Sequence, residues 1–248
     1  MSGIIPAPIW LDTATSTNSE LASRADRLPH GAVVACREQT AGRGQRGNSW
    51  EAEPGRNLTF SLLLRPSVIG AAESFRMSML VSIAVAEALE RAMPGRRVTV
   101  KWPNDIYVDD LKICGILIEN SFSGRRIDHA IIGIGINVNQ SVFRSDAPNP
   151  VSMTLLTGLT YDLDTLLADV TMHIVETFDS YEAAPDDETL SRRYHDRLWR
   201  RHGLHRWHGA LTGEDITAAL RDVALSGHLT LDTDPPRTYA FKEISAIL

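Results

Sequence analysis

Between Val98 and Asn139 apolar residues recur with strand rather than helical spacing, in three runs: VTVKWPNDIYV, KICGILIEN and IDHAIIGIGINVN. Turn signals separate the runs at Asp109 and Asp110 and again at Ser123 and Gly124. The pattern predicts a meander of three to four antiparallel strands, which must bury one face against something else. Two further strands are expected upstream, GAVVACREQ (Gly31 to Gln39) and LTFSLLLRP from Leu58. The cover is expected from Ala72 to Gly95, whose apolar content fits a largely buried helix stopped by Pro94 and Gly95, and from helices at Asp162 to Ala184 and Glu188 to Arg201. A shorter helix is read from Ser16 to Leu28, with Thr17 and Glu20 as a capping box. Beyond Gly203 only short strand-like runs occur (ITAALRDVAL, HLTLDT, RTYAFKEI), which reads as a small β-domain. At 248 residues and 43% apolar content, one large core and one small satellite are expected, an α+β chain divided into residues 1–201 and 202–248.

Charge and cysteine usage exclude several classes. A net charge of -6 argues against wrapping nucleic acid, which needs a basic face. Cys36 and Cys114 are far apart and sit in apolar strands, so they read as small core residues and not as a disulfide framework or zinc ribbon. MSGIIPAPIW lacks the basic and apolar regions of a secretory leader, and no run of about 20 uncharged apolar residues occurs. A cytoplasmic protein acting on neither nucleic acid nor membrane is expected. Of 25 basic residues only Lys101, Lys112 and Lys242 are lysine, which singles out Lys101 and Lys112 for roles a planar guanidinium cannot fill, unless the bias is one of codon usage.

Three segments carry chemistry. AGRGQRGNSWEAEPGRN (Ala41 to Asn57) contains Gly42, Gly44 and Gly47 in a G-x-G-x-x-G spacing after a strand, but the following residues include Pro and Gly without apolar period, so no helix opens there and a dinucleotide turn is excluded. A glycine loop with Arg43, Arg46 and Arg56 remains an anion clamp or a solvated surface loop. KWPNDIYVDDLK gathers Lys101, Trp102, Asn104, Asp105 and Lys112 where Pro103 interrupts a strand, either as converging polar groups or as an ordinary turn. GIGINVN places Gly133 and Gly135 inside an apolar strand, which leaves room for a ligand or marks a bulge. His202, His205 and His208 have ligand-like spacing without a matching acid or thiol and read as a solvated face.

Taken in order, STN (Ser16 to Asn18), EQTAGRGQRGNSW (Glu38 to Trp50), KWPND (Lys101 to Asp105), KICGILIE (Lys112 to Glu119) and GIGINVN (Gly133 to Asn139) resemble biotin protein ligase. The resemblance is close from about Ile9 to Asn139 and loose beyond. It implies a class II aminoacyl-tRNA synthetase-like mixed sheet flanked by helices, with a small SH3-like β-domain at the C-terminus. It also implies an ATP-dependent enzyme that makes biotinyl-5'-adenylate, with Mg²⁺ on the phosphates, and transfers biotin to a lysine of a biotin carboxyl carrier domain; a homodimer is left open. Carried over residue by residue, Lys112, Asp105 and Arg43 are expected to act in catalysis. Ser16, Thr17, Asn18, Gln39, Gly42, Arg43, Gly44, Lys112, Gly115, Gly133 and Gly135 are expected around biotin. Arg46, Trp50, Lys101, Asn104, Lys112 and Asn137 are expected around ATP or the adenylate, with Trp50 and Trp102 as apolar walls and Lys101 on either phosphate or Asp105. No metal ligand is assigned. Two departures stand out: the STN motif begins at residue 16, so the winged helix some members carry is not expected, and Gln45 replaces a basic residue common in the family's glycine loop. The rival readings are a lipoate or octanoate ligase of the same fold and a non-catalytic ligand-binding module.

Overall fold

The computed structural model describes residues 5–44, 49–145 and 147–248. Seven strands, β1 (Ile9–Ala14), β2 (Val33–Gln39), β3 (Leu58–Leu64), β4 (Val98–Lys101), β5 (Asp105–Val108), β6 (Leu111–Ser123) and β7 (Arg126–Ile136), form one sheet in the order β1-β2-β3-β7-β6-β5-β4. Only β1 and β2 pair in parallel; the expected meander is the antiparallel run β4 to β7. Five shorter strands, β8 (His205–Gly209), β9 (Asp215–Val223), β10 (Leu229–Asp232), β11 (Arg237–Tyr239) and β12 (Ile244–Ala246), make a separate antiparallel sheet in the order β11-β10-β9-β8-β12. RTYAFKEI, read as one strand, is two, because the chain turns at Lys242 with a φ of 94°.

Alternation assigns the faces of the large sheet. Phe60, Leu62, Leu64, Ile132, Ile134 and Ile136 point to one side and are buried beneath helices α2 (Phe75–Ala92) and α4 (Leu163–Ala183). Helix α2 lies between sheet and α4, so it buries eleven residues from Met77 to Leu89 instead of a single stripe. Thr59, Ser61, Gly133, Gly135, Gly115 and Leu117 occupy the other face, with Gly135 opposite Gly115 and Thr59, and Gly133 opposite Leu117 and Ser61. At the β1-β2 side of that face, α1 (Thr17–Ala22) buries Leu21 against Val34, Leu63 and Ile131.

The structure corrects two helices. The predicted 16–28 helix is α1 followed by a 3-10 turn at Ala25–Arg27, and the capping box does not form: Ser16 is the N-cap without a side-chain bond, and the Thr17 N–H donates to Gln39 Oε1 at 2.8 Å. The last helix, α5 (Asp187–Asp196), stops five residues short of the expected end. There the chain extends along the exposed edge of β4, with Val100 N–H donating to Arg197 O (2.7 Å) and Trp199 N–H to Val100 O (2.8 Å). Covering an unpaired strand edge outweighs continuing the helix. A short helix, α3 (Met153–Thr157), capped by Ser152 and ended by Gly158 at φ 74°, lies in a stretch where no element was expected. Among the described residues no helix is long and apolar enough to cross a membrane.

Candidate active site

A cavity of about 790 Å³ opens on the glycine-bearing face of the large sheet. Gly115 and Gly135 form its floor because nothing larger fits: a Cβ at Gly115 would stand 2.8 Å from the Trp50 ring, and one at Gly135 would run into the same indole. A Cβ at Gly133 would strike the Asn18 amide. Gly42 has a different reason. The loop folds back there, with Trp50 N–H donating to Gly42 O at 3.1 Å, and a Cβ would lie 2.8 Å from Trp50 O. Trp50 is thereby laid over the floor, and its Nε1 is buried without a partner among the described residues.

One end of the cavity is built mainly from uncharged polar side chains, with the Arg43–Glu119 pair beside them. Ser61 Oγ lies 2.7 Å from Thr17 Oγ1 and 2.5 Å from Asn18 Oδ1, Gln39 Oε1 accepts from Thr17, and Asn18 Nδ2 donates to Glu119 Oε2 at 2.6 Å. Ser16 is buried at the head of α1 beside this cluster. The other end is charged: Lys112 Nζ sits 2.7 Å from Asp105 Oδ2, and Lys101 Nζ donates to Tyr107 Oη at 3.1 Å. Lys112 and Glu119 are seven residues apart on β6, about 23 Å at roughly 3.3 Å per residue, so the two ends are separated by the glycine floor. A β-bulge makes this arrangement. Ile106 pairs with Cys114 but Tyr107 pairs with Lys112, so Ile113 is the extra residue. In an unbroken strand Lys112 and Gly115 would face opposite ways; the bulge returns Lys112 to the cavity.

The segment after β7 closes the charged end. Lys112 is pinned on both sides of its backbone, its N–H donating to Asn149 O (2.8 Å) and its carbonyl accepting from Val151 N–H (3.0 Å). Asn137 donates to Val151 O at 3.0 Å, which leaves Asn137 Oδ1 buried with no partner among the described residues. The glycine loop is tied to this segment by Glu51, which accepts from the Arg144 and Ser145 N–H groups at 2.8 and 2.7 Å. Burial pulls the Glu51 carboxyl pKa up, but the hydrogen bonds from Ser145, Arg144 and Gln140 outweigh it and hold it below the ordinary value. For Lys101, burial pushes the ammonium pKa below the ordinary lysine value against the opposing pull of Asp105. Burial, with Asp105 nearby, raises the Tyr107 hydroxyl to about 12.

Thr17, Asn18, Gln39, Arg43, Gly44, Trp50, Lys101, Asp105, Lys112, Gly115, Gly133, Gly135 and Asn137 all line the cavity. Three expectations change. Arg43 is placed by its contact with Glu119, 3.5 Å away, at the polar end and not beside Lys112. Trp102 is no cavity wall: its Nε1 donates to Gly227 O at 3.0 Å and its ring meets Phe241 edge-on. Asn104, in the turn between β4 and β5, is directed toward Ser78 of α2, into a separate crevice beside the C-terminal sheet. Arg46 and Gln45 lie outside the described residues. Ser61, Thr59, Glu119 and Tyr107 were not picked out from sequence. The signal for the first two was present: Thr59 and Ser61 are the polar pair, two apart, in the otherwise apolar LTFSLLL. The cysteines are free and buried, as expected. His208 pairs with Asp215 at 2.8 Å and the His205 ring with the His202 carbonyl.

Comparison with known proteins agrees with this geometry. Residues 10–137 match the model of the biotin/lipoate A/B protein ligase family. A biotin--[acetyl-CoA-carboxylase] ligase from Paracoccus denitrificans is 36% identical over 217 residues, covering 83% of this chain and 89% of that protein. The bifunctional ligase/repressor BirA of Escherichia coli K12 is 37% identical over 161 residues, 64% of this chain and 49% of that one. The biotin protein ligase of Aquifex aeolicus, solved in complex with biotin and ATP, superposes with a TM-score of 0.78 at 25% identity, covering 97% of this chain and 98% of that chain. A glycine floor between a polar end and a paired lysine, on a sheet shared with these relatives, leads to one lineage: the chain belongs to the biotin/lipoate A/B protein ligase family, among its biotin protein ligases.

Proposed function

We propose that this cavity runs two half-reactions, with biotin's ring at the polar end and the nucleotide at the charged end. In the first, a biotin carboxylate oxygen attacks the α-phosphorus of MgATP, and the bond to the bridging oxygen breaks to release pyrophosphate. Magnesium enters with this substrate; among the described residues no group of three or more His, Cys, Asp or Glu could hold a metal. In the second, the amine of a carrier-domain lysine attacks the acyl carbon, the acyl–oxygen bond breaks, AMP leaves, and the amine proton passes to a carboxylate, for which Asp105 is the candidate.

The observation that carries the reading is the Lys112–Asp105 pair at the end of the glycine floor. The first step brings two anions together and needs a cation between them, and Lys112 supplies it by exchanging Asp105 for the substrates. Thr17, Asn18 and Gln39 offer an uncharged ureido ring both donors and acceptors, with Ser16, Gly44 and Arg43 alongside. Trp50, lying on the floor, serves as the apolar wall and helps keep the mixed anhydride from water. Asn137 Oδ1, buried without a partner among the described residues, suits the exocyclic amine of adenine. We assign residues 1–201 to catalysis, residues 202–248 to an SH3-like satellite, and the protein to the cytoplasm, in keeping with its free cysteines and ATP-dependent chemistry.

The test is ATP–pyrophosphate exchange with biotin or lipoate, followed by mass spectrometry of a biotin carboxyl carrier domain incubated with the protein, biotin and MgATP. Biotin-dependent exchange and one biotinyl increment on the carrier lysine are expected. Exchange driven by lipoate alone, or none with either acid, overturns the reading.

A further inference from the structure

The cavity holds two lysines in different settings. Lys112 has a carboxylate partner; the Lys101 ammonium is held by aromatic groups. Its Nζ donates to Tyr107 Oη at 3.1 Å and lies 5.0 Å from the Tyr107 ring centre and 5.4 Å from that of Trp199. The two rings are themselves in contact, with centres 5.4 Å apart. Both are almost fully enclosed, at 2% and 6% exposure. Trp199 is fixed three ways: its backbone N–H donates to Val100 O at 2.8 Å, its indole Nε1 donates to Asp110 Oδ1 at 2.9 Å, and Arg200 stacks on it with Cζ 4.1 Å from the ring centre. Arg200 in turn donates to Ile247 O at 2.7 Å, just beyond β12 of the C-terminal sheet.

Neither aromatic ring carries a formal charge, so the cradle orients the Lys101 ammonium without neutralising it. Cation–π attraction of this kind is weaker than the pull of a carboxylate and is therefore easily surrendered to an incoming anion. Lys112, by contrast, must leave Asp105 to act. Resting on the reading of the charged end as the nucleotide site, we infer that Tyr107 and Trp199 are positioning residues that hold Lys101 ready for the phosphates of a nucleoside triphosphate, and that Arg200 ties this cradle to the C-terminal sheet.

The experiment uses the full chain carrying Tyr107→Phe, which keeps the ring and removes only the hydroxyl. Steady-state pyrophosphate exchange gives KM for ATP and kcat, and calorimetry gives the dissociation constant for biotin alone. The expected result is a five- to twentyfold rise in KM for ATP, kcat changed less than twofold, and biotin affinity unchanged. Trp199→Phe should shift KM in the same direction. A second readout is the alkaline limb of 1/KM for ATP. Lys101 is faced by Asp105 of β5, Lys112 of β6, Tyr107 and Arg200, and of these Tyr107 makes its hydrogen bond; Lys101→Arg, which cannot deprotonate, should move that limb to higher pH while Tyr107→Phe in the same chain no longer shifts it. An unchanged KM in Tyr107→Phe, or equal losses for ATP and biotin, overturns the positioning role. Absence of biotin-dependent exchange in the unsubstituted protein would instead remove the nucleotide-site reading on which the inference rests.

Discussion

Replacing Lys112 by arginine keeps the charge and changes only its shape, and the structure says why that should matter. The residue cannot shift as a whole, because its N–H and carbonyl are bonded to Asn149 and Val151 on either side. Its Nζ sits 2.7 Å from Asp105 Oδ2 and 5.7 Å from the centre of the Trp50 ring. A guanidinium on the same root is longer and planar, and it offers Asp105 two parallel bonds in place of one. It would be held on the carboxylate and crowd the indole, where a compact ammonium can swing away to two incoming anions. Misplacing one preorganised electrostatic contact costs about 3 to 4 kcal/mol, on the order of a hundred- to a thousandfold in rate. Biotin-dependent pyrophosphate exchange should fall by that factor in Lys112→Arg, while biotin binding measured without ATP changes far less, because the polar end is untouched. Lys242→Arg, in the C-terminal sheet's turn, is the control and should behave as the parent. Exchange at near-parental rate in Lys112→Arg would refute the role given to this ammonium and move it to Lys101 or to an arginine.

Gly133→Ala places a methyl group against the Asn18 amide, so Asn18 must abandon Glu119 and Ser61; overpacking of this kind costs about 1–3 kcal/mol in urea unfolding, and biotin affinity should drop with it. If both are unchanged, the polar end is not built as described. Ser61→Ala removes a buried hydroxyl shared by Thr17 and Asn18 and should destabilise by about 1–3 kcal/mol, with weaker biotin binding by calorimetry and an unaltered KM for ATP; a nucleotide effect alone would contradict the assignment of ends. Far from the cavity, the hydrogen-bonded Arg76 guanidinium holds the Asp187 carboxyl down at about 2, against an ordinary value of 3.8. A depressed folded-state pKa contributes stability that is complete above pH 3.8 and lost as pH falls toward 2. Asp187→Asn should therefore flatten the acid side of the melting-temperature profile in that window, and an unchanged slope would show that the pair contributes nothing.

What was legible in the sequence and what was not divide along one physical line. Strand alternation is local and periodic, so the runs from Val98 to Asn139 were enough to predict the meander, and the pair Gly133 and Gly135 in GIGINVN could be read as room left on one face. The motifs likewise pointed to the family and to Lys112, Asp105 and the STN residues. Local pattern does not reveal which face a residue shares with a distant one. Lys112 reaches the cavity through a bulge at Ile113 that depends on how β5 and β6 register, and nothing in KICGILIE marks it. Asn104 and Trp102, adjacent to site residues in sequence, lie in the turn between β4 and β5 and are drawn by their tertiary contacts toward α2 and the C-terminal sheet. α5 ends early because an unpaired edge of β4 lies beside it, a neighbour almost a hundred residues away in the chain. Tyr107 and Trp199 become partners of Lys101 only once that edge is covered, since it is the 197–199 extension that brings the tryptophan against β5. Backbone periodicity is written within a few residues; register, edge protection and the pairing of charges across a sheet are settled by contacts between segments that meet only in the folded chain.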